Sequence, residues 1–513
     1  MDPWLTLKAF QGDRTPGSCQ DLKQFQTHWL MNCLRSNQTT LFGQQHAFAD
    51  IDTIRDYQNR VPLHYHEELS PYITRMASGE ADILFMGHPT AFEQTGGSSG
   101  GGKLIPYSDN SLEDFRRTML PWLSELVTSN KINSGNIYLT LSPATRQTSA
   151  TAAGIPIGLP DTAYLGQLAG QALMALSAVP TWVGTMPDVE KWQLATLYWL
   201  VRQQKLSLIS LWSPSFFLQL FEGLEEREAE LMELLNHGGE ITSRTLPDDK
   251  PAMARFVRYL ADHDSLHLWP GLKVVSCWME GNSRSFANSL QQRLPQAHFQ
   301  GKGLLASEGV TTVPNRNGAP LLTVNSGFYE FLQKDGEVRC AWELDENREY
   351  EVVPTTIGGL YRYRTGDLVR YTGMINNLPE LHFLGRNDLT SDLVGEKLSE
   401  AFVAQCLTDI PGFHMLAPVR TSEPHYTLIV SSDDTMASAM SRLATIENRL
   451  KSNPQYAYAR KLGQLGPLTA TTHPNPLRVY TAKASMQQRL GDVKVQALLP
   501  PTMEVELFME DLH

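Results

Sequence analysis

The spacing of hydrophobic and polar positions divides the chain into three parts. Residues 20–80 mostly follow the period of helices, with an extended break near VPLHYHEELSPY. From Lys273 onward the pattern changes to short strands between loops, such as LKVVSCW, LTVNSGFYEFL and LYRYRTGDLVRYTG. After Asp388 a smaller mixed segment follows, with the strand HYTLIVSS and the helix ASAMSRLATIENRLK. This order of elements predicts an α/β fold.

The last change of pattern predicts a domain boundary. A chain of 513 residues is too long for a single hydrophobic core. We place the boundary between Gly385 and Asp388, which gives a large N-terminal domain over residues 1–385 and a small C-terminal cap over residues 386–513. The cap then has roughly 125 residues, an ordinary size for a domain.

Two segments carry distinctive apolar patterns. SFFLQLFEGLEEREAELMELLNH, from Ser215 to His237, predicts one strongly amphipathic helix whose Phe and Leu stripe packs in a core. The segment from Thr162 to Pro187 has no charged residue, but its glycines, glutamines and small apolar side chains favour a buried helix over a membrane span. We therefore expect a soluble protein.

Composition and charge narrow the classes of partner. Hydrophobic residues make up 42% and charged residues 19%, an ordinary globular mixture. The net charge of −12 disfavours binding to nucleic acid or to an anionic membrane. The five cysteines have no paired spacing, and the N-terminus lacks the apolar region of a signal peptide. We expect a cytoplasmic monomer with reduced thiols that acts on small molecules.

The stretch QTGGSSGGGKLIPY contains the most unusual local composition. A P-loop requires a Ser or Thr after the lysine to bind magnesium, and here Leu104 follows Lys103. A flexible linker is also a poor interpretation, because both flanks are apolar. Glycine N–H groups, the hydroxyls of Thr95, Ser98 and Ser99, and the Lys103 ammonium are suited to phosphate. The loop is a candidate phosphate site of a different kind.

Four other motifs are weak when taken singly. Ser307 and Glu308 follow an apolar run, and Asp367 ends a Thr-Gly-Asp turn between two strands. Arg386 begins a charged loop after the last strand of the large domain, and Lys494 has apolar neighbours near the C-terminus. Each motif also has a purely structural explanation. Ser307, Glu308 and Arg386 could lie in solvated loops, Asp367 could be an ordinary turn residue, and Lys494 could be a surface lysine with a buried stem.

The order of these motifs carries more information than any one of them. A glycine loop ending in lysine, then Ser-Glu, Thr-Gly-Asp, Gly-Arg-x-Asp and a near-terminal lysine resemble the adenylate-forming superfamily of acyl-CoA synthetases, luciferases and peptide-synthetase adenylation domains. Within that superfamily, NQTTLFGQQHAF, KLIPYS, LWSPSF, GKGLLASEG and GLYRYRTGDLVRYTG resemble the Gretchen Hagen acyl acid amido synthetases in their shorter bacterial form. The resemblance covers nearly the whole chain.

The resemblance implies roles for individual residues. It assigns the glycine loop and Lys103 to the ATP phosphates; the loop residues are Thr95, Gly96, Gly97, Ser98, Ser99 and Gly100. Ser307 and Glu308 would meet the nucleotide, with Glu308 as a magnesium ligand. Asp367 matches the ribose-binding aspartate, and Arg386 is its neighbour on the nucleotide.

Two further positions concern the small domain. Asp388 falls at the hinge about which the cap would turn between half-reactions. Lys494 matches the lysine that the cap brings into the site during adenylation. The implied fold is a large N-terminal domain of sheets and a β-barrel flanked by helices, which binds ATP and the acyl acid, with a small mobile α+β cap.

Two departures from the family pattern concern nucleotide binding. Gly97 stands where relatives have Thr, so Ser98 or Ser99 would have to supply a phosphate-binding hydroxyl. Leu304 stands where many relatives carry a Tyr that stacks on adenine. Phe328 is the predicted substitute for that ring, with Tyr329 as the other option.

The resemblance implies an AMP-forming ligase. A carboxylate attacks the α-phosphorus of ATP to give an acyl-adenylate and pyrophosphate, and an amine, typically of an amino acid, then displaces AMP. ATP and Mg²⁺ are the implied cofactors. Two alternatives remain open, namely an acyl-CoA synthetase or stand-alone adenylating enzyme, and a non-catalytic protein that binds a nucleotide or a small acid.

Overall fold

A computed structural model defines most of the chain. It describes residues 2–10, 21–94, 103–140, 149–159, 161–387, 389–408, 410, 412–431, 436–486 and 490–509. The predicted phosphate-loop residues 95–100 and the predicted hinge residue Asp388 lie outside these ranges. Within them, no helix combines the length and the apolar character that crossing a membrane requires.

Helices and short strands alternate through the first part of the chain. Its elements are α1 (Pro3–Ala9), α2 (Leu22–Ser36), α3 (Leu41–Gln45), α4 (Ile54–Arg60), α5 (His66–Ala77), β1 (Ala91–Gln94), β2 (Leu104–Tyr107), α6 (Asp109–Ser129), β3 (Asn136–Leu139), β4 (Ser149–Ala150), β5 (Pro156–Ile157), α7 (Asp161–Ala175), α8 (Val189–Arg202), β6 (Leu206–Ser210), α9 (Pro214–Glu226), α10 (Glu228–His237), β7 (Gly239–Ile241), β8 (Arg244–Leu246), α11 (Lys250–Asp262), β9 (Val274–Cys277), α12 (Ser283–Arg293) and β10 (His298–Gly301).

A four-stranded parallel sheet in the order β10–β9–β6–β3 organises this part. The two central strands, β6 and β9, are short apolar runs buried on both faces, which is typical of parallel sheets. Leu208 and Val274 lie in the core with side chains of α6 and α7. Ile209 and Val275 face the opposite core, with α8, α9 and α12. The carboxyl ends of the four strands therefore lie along one edge of the sheet.

Two predictions about helices need correction. The predicted single helix from Ser215 to His237 is two helices, because Arg227 leaves the helical conformation with φ −111° and ψ 23°. The Arg227 guanidinium contacts Glu190 and donates to Gln193 at 3.1 Å, contacts with α8 that the break permits. The extended break near VPLHYHEELSPY is also shorter than predicted, since α5 begins at His66.

An antiparallel sheet of seven strands follows the parallel sheet. The elements of this part are β11 (Leu305–Ala306), β12 (Gly309–Val310), β13 (Thr312–Pro314), β14 (Pro320–Leu322), β15 (Phe328–Leu332), β16 (Val338–Cys340), β17 (Glu349–Thr355), β18 (Asp367–Ile375) and β19 (Leu378–Arg386). The strand order is β13–β14–β19–β18–β17–β15–β16, and β11 pairs with β12 as a separate hairpin. The predicted run of short strands after Lys273 is confirmed.

The C-terminal part is smaller and mixed, as predicted. Its elements are β20 (Thr390–Ser391), β21 (Leu398–Ser399), α13 (Glu400–Cys406), β22 (His414–Val419), β23 (His425–Ser431), α14 (Met436–Leu450), α15 (Pro454–Lys461), β24 (Thr469–His473) and α16 (Pro476–Ser485). β22, β23 and β24 form a three-stranded sheet. The α/β class is confirmed, and the boundary between Gly385 and Asp388 stays a prediction.

One apolar cluster joins the C-terminal part to the large body. Ile429, Phe413 and Tyr480 lie in the same buried cluster as Phe286 of α12. The rings of Phe286 and Phe413 are 6.5 Å apart. We call this group of four side chains the shared core. It fixes how the C-terminal part sits against the parallel sheet in this structure.

Candidate active site

A tight turn places Asp367 at the start of β18. Gly366 has a φ of 76°, which glycine adopts without strain. The Thr365 hydroxyl donates to the Val352 carbonyl at 2.9 Å and accepts the Asp367 N–H at 3.1 Å. Asp367 is only 6% exposed. The turn therefore holds this carboxylate at one position at the end of the sheet.

Arg386 lies opposite Asp367 at the end of β19. The two residues are partners across the strands, with Arg386 Nη1 4.0 Å from Asp367 Oδ1. Arg386 Nη2 donates to the Thr365 carbonyl at 3.0 Å. The guanidinium is thus anchored on the same turn as the carboxylate, which places one cation beside one anion at this edge.

Glu400 connects this edge to the C-terminal segment. Its Oε2 accepts the Arg386 N–H at 3.2 Å, and its Oε1 accepts the Ala497 N–H at 3.1 Å. α13 can approach β19 because Gly385 has φ 148°, and a Cβ there would lie 2.8 Å from Ala401 Cα. The buried carboxylate therefore joins the end of β19 to the segment that carries Lys494.

Lys494 lies over the rings of Trp278 and Phe383. Its Nζ is 4.3 Å from the Trp278 ring centroid and 5.9 Å from that of Phe383. The backbone is fixed because Lys494 O accepts from the Tyr480 hydroxyl at 3.0 Å, and the neighbouring Val495 O accepts from Asn282. A cation held over an indole is attracted by the negative face of the ring.

Several charges act on the Lys494 ammonium. Withdrawal from water lowers its pKa and the Arg386 charge adds to that effect, while the carboxylates oppose it; they are Asp367, Glu308 and Glu400. Lys494 as a residue is still exposed, so this environment is an open cleft rather than a closed interior. The structure thus brings together four of the predicted site residues from separate stretches of sequence: Glu308, Asp367, Arg386 and Lys494.

Ser307 and Glu308 form the turn of the β11–β12 hairpin. The Tyr107 hydroxyl donates to the Ser307 carbonyl at 2.6 Å, which fixes the hairpin against β2. The Glu308 charge contributes to raising the pKa of both Tyr107 and Tyr363, after burial as the main cause. The hairpin turn therefore lies beside Tyr107, the residue of β2 that is farthest from Leu104.

Asp114 is a carboxyl group that the sequence analysis did not identify. It lines a cavity together with Ser307 and Glu308. Burial raises the pKa of Asp114 to about 7, although Arg117 Nη1 lies 3.8 Å away and opposes the shift. Its surroundings in the sequence, LEDFRR, are typical of a solvated helix face, so charge alone gave no signal.

The predicted phosphate loop connects two paired strands. Gln94 and Leu104 are partners at the open end of the β1–β2 pair, so residues 95–102 join adjacent strand ends. This pairing argues against a linker between domains. Lys103 Nζ is 3.9 Å from Glu67 Oε1, and both side chains reach solvent. The loop residues 95–100 are outside the described ranges, and their role stays a prediction.

The predicted adenine-stacking rings lie in cores. Phe328 is fully buried and packs edge-on against Tyr57. The Tyr329 hydroxyl donates to the Val310 carbonyl at 2.6 Å, and Leu304 is 5% exposed. A base could reach Phe328 only if β15 left the sheet, so the position of this ring does not support its assignment to adenine.

The carboxyl edge of the parallel sheet carries two tryptophans whose residue type suits a flat acid, and a lysine that no sequence motif predicts. Trp212 follows β6 and Trp278 follows β9, and their rings are 5.8 Å apart. Lys302 follows β10 and is 5% exposed. Phe216 is 2% exposed, which agrees with core packing for that ring. A buried lysine gives no sequence signal, because most lysines are solvated.

Comparison with known proteins identifies relatives along most of the chain. The family models for the GH3 family N-terminal domain and the GH3 family central domain match residues 15–299 and 320–386. The putative indole-3-acetic acid-amido synthetase GH3.9 of Arabidopsis thaliana is 23% identical over 445 residues, 75% of this chain and 74% of that protein. The 4-substituted benzoates-glutamate ligase GH3.12 of the same plant is 21% identical over 465 residues, covering 80% and 79%.

A solved structure shares the fold. The AtGH3.15 acyl acid amido synthetase in complex with 2,4-DB superposes with a TM-score of 0.83 at 19% identity, over 99% of this chain and 96% of that chain. The jasmonoyl–L-amino acid synthetase JAR4 of Nicotiana attenuata is a further relative, 24% identical over 74% of this chain and 72% of its own length.

Proposed function

The chain belongs to the GH3 family, and on that premise we propose that it is an AMP-forming acid–amine ligase. It activates a carboxylic acid as an acyl-adenylate, releases pyrophosphate, and joins the acyl group to an amine, an amino acid in the first instance. One observation supports the proposal most directly. The charged groups of four predicted site residues act on one another at a single place: Glu308, Asp367, Arg386 and Lys494. The relatives named as an amido synthetase and as a benzoates-glutamate ligase support the reaction class.

The groups in the cleft fit a magnesium nucleotide. Asp367 offers a fixed carboxylate for two ribose hydroxyls, and Arg386 and Lys494 offer cations for phosphate. No group of three metal-ligating side chains occurs in the ranges that the structure describes. One carboxylate together with substrate phosphates is the usual way that proteins hold Mg²⁺, and Glu308 is the proposed ligand. When bound, the ion would neutralise phosphate charge.

The side chains of the cleft have separable tasks in the first half-reaction. Asp367 would orient the ribose, so that the α-phosphorus faces the incoming carboxylate. The Lys494 ammonium, held over Trp278, would stabilise the negative charge that develops between the acid and the α-phosphate. Lys103 and the glycine loop would hold the leaving pyrophosphate, and Ser307 would position the hairpin turn.

The second half-reaction needs a path by which the amine can reach the acyl carbon. We propose that the C-terminal part turns about the segment Arg386 to Asp388 after adenylation, which would withdraw Lys494 from the reaction centre. Monomeric state, cytoplasmic location and the domain boundary stay predictions beside this proposal.

The test is an exchange assay followed by product analysis. Purified protein is incubated with ATP, Mg²⁺, labelled pyrophosphate and a panel of aryl and alkyl acids, and acid-dependent label in ATP is expected. Amino acids should then accelerate AMP release from the preformed adenylate and give an amide. Acceleration by coenzyme A and by no amine would identify an acyl-CoA synthetase instead. Absence of exchange with every acid would leave a nucleotide- or acid-binding protein.

A further inference from the structure

Asp114 lies where two cavities adjoin. The inner cavity, of about 40 Å³, borders the turn of Ser307 and Glu308. The outer cavity, of about 260 Å³, lies between α2 and α6, and residues at its rim such as His28 are exposed. Two residues line both cavities, Asp114 and Ile357. Asp114 therefore stands between solvent and the turn that carries Glu308.

The Asp114 carboxylate is largely withdrawn from water. Its side chain is 16% exposed, and Arg117 Nη1 lies 3.8 Å from its Oδ1. Arg117 itself is 62% exposed, so solvent weakens this ion pair. Burial raises the pKa of Asp114 to about 7, with a contribution from the Glu113 charge and against that of Arg117. A carboxyl group in this state can accept a proton and release it again near neutral pH.

The elements packed around Asp114 carry ionisable groups of their own. The Asp114 charge contributes to raising the pKa of the Cys33 thiol on α2 and of the Tyr329 hydroxyl on β15, after burial as the main cause. These two groups therefore stay neutral near pH 7. His28 of α2 lines the outer cavity, and Glu308 lines the inner one. At the junction itself, Asp114 is the group that changes its charge near neutral pH.

The proposed ligase reaction requires a proton acceptor for the amine. Amino acids are ammonium ions at neutral pH, and an ammonium nitrogen has no electron pair with which to attack an acyl carbon. Glu308 and Asp367 hold the magnesium ion and the ribose in the proposed reaction, so a further acceptor is needed. A general base must lie within hydrogen-bond reach of the proton it takes, and Asp114 lines the cavity next to the reaction centre.

We propose that the amine enters through the outer cavity and that Asp114 is the catalytic residue that accepts its proton. The proposal rests on the ligase function proposed above. The Asp114 carboxylate takes one proton from the ammonium, and the neutral nitrogen then forms the C–N bond with the acyl carbon. The bond between the acyl carbon and the phosphate oxygen breaks, and AMP leaves with its electron pair. The new amide nitrogen loses its excess proton to water, and Asp114 returns its own proton to solvent through the outer cavity.

The test compares two amines that differ in their protonation. Amino acids are charged at pH 7, whereas hydroxylamine is already neutral and needs no base before it attacks. Wild-type protein and Asp114→Asn form the acyl-adenylate from ATP, Mg²⁺ and an acid that supports pyrophosphate exchange, and AMP release is followed after each amine is added. Asp114→Asn should slow release by the amino acid about 10²- to 10⁴-fold, the usual contribution of a general base. Release by hydroxylamine and the exchange rate should change little.

The pH dependence of the same reaction gives a second readout. In the wild-type protein, AMP release by the amino acid should rise as Asp114 loses its proton near pH 7 and then level off. In Asp114→Asn the rate should keep rising at higher pH, as more of the amine becomes neutral in solution. Asp114→Glu keeps a carboxyl group and should retain more activity with the amino acid than Asp114→Asn does.

Controls separate this proposal from the function on which it rests. Asp109→Asn, an exposed aspartate at the start of the same helix, should change neither rate. Thermal melting checks folding, and Asp114→Ser is the second variant if Asp114→Asn does not fold. Equal slowing with both amines, or an unchanged rate with the amino acid in the folded variant, would overturn the role of Asp114 alone. Absence of exchange in the wild-type protein, seen before any amine is added, would overturn the ligase function and this proposal with it.

Discussion

Two arginine–carboxylate pairs on the seven-stranded sheet have opposite characters. Arg362 and Glu330 form a fully buried pair, with Nε 2.8 Å from Oε2 and side-chain exposures of 7% and 0%. Arg386 and Asp367 are 4.0 Å apart, with exposures of 37% and 9%. The first pair lies inside the body and the second at the open cleft.

The surroundings of the two pairs explain the difference. Arg362 makes two bonds to Glu330 and two more to the Gln58 and Val61 carbonyls, so its donors are used inside the protein. Arg386 is anchored on a turn and faces a cleft with a second cation, Lys494. We call Arg362 and Glu330 the closed pair, and this pair contributes to the stability of the fold. We call Arg386 and Asp367 the open pair, and its exposed charges are suited to a ligand that displaces solvent.

Breaking the closed pair should have the largest effect, and on stability. Arg362→Met leaves Glu330 charged and buried, so we expect a loss of about 3–5 kcal/mol in the free energy of unfolding, measured with urea. Arg339→Met, on the neighbouring strand with a half-exposed partner, should cost far less, because solvent screens exposed ion pairs. A loss for Arg362→Met no larger than that of its control would contradict the assignment.

Removing the Lys494 ammonium should slow the adenylation reaction without destabilising the fold. Lys494→Met should lower the rate of acid-dependent pyrophosphate exchange about 10²- to 10³-fold, the usual effect of losing one charge-stabilising group. Unfolding in urea should change little. Lys483→Met, an exposed position on α16, is the matched control. An unchanged exchange rate in folded Lys494→Met would show that this lysine takes no part in adenylation.

Removing the carboxylate of the open pair should weaken nucleotide binding. Asp367→Ala loses the proposed acceptor of the ribose hydroxyls, and we expect ATP binding to weaken by about 1.5–3 kcal/mol, measured by calorimetry. Asp345→Ala, a largely exposed aspartate next to the same sheet, serves as the control. If folded Asp367→Ala bound ATP with wild-type affinity, Asp367 would not be the residue that binds the ribose.

The smallest effect on the free energy of unfolding is expected for the partly exposed pair formed by His382 and Glu280. His382 Nδ1 is 2.8 Å from Glu280 Oε1, and this hydrogen bond raises the pKa of His382 above its usual value of 6.5. Because the folded protein holds the proton more tightly, the pair stabilises the fold below pH 6.5 and loses that contribution as pH rises through the raised pKa. His382 is about a third exposed, which limits the gain to less than about 1 kcal/mol.

Comparison with His382→Gln measures that contribution. The difference in the free energy of unfolding between the two proteins should be present at pH 6 and shrink as the pH rises through the raised pKa of His382, where the folded protein also loses the proton. A difference that is constant across this range would indicate a packing effect instead of a charge effect.

Sequence reasoning succeeded where local chemistry and chain order agree. The apolar run of β9 and the Thr-Gly-Asp turn are recognisable from their residue types alone. Glu308, Asp367 and Lys494 were individually unremarkable, and only their order along the chain predicted that they would act together. The structure then places their charges around one cleft.

The failures have a common physical cause, which is tertiary context. The helix break at Arg227 accompanies contacts with Glu190 and Gln193 of α8, which the local sequence pattern does not reveal. Lys302 and Asp114 are unusual only because they are buried, and burial of a single charged residue leaves no mark on the local pattern. The surroundings of Phe328 likewise depend on tertiary context, since all five residues of β15 are buried.

The shared core has a consequence for the timing of catalysis. If the C-terminal part turns after adenylation, Phe413 must leave Phe286, and each 100 Å² of apolar surface exposed would cost about 2.5 kcal/mol. The arrangement with Lys494 in the cleft would then be the majority state at rest, and the amine-accepting arrangement a minority. Since hydrophobic attraction weakens on cooling, the minority should grow in the cold. A protein built this way would keep the Lys494 ammonium beside the reaction centre until the next substrate arrives.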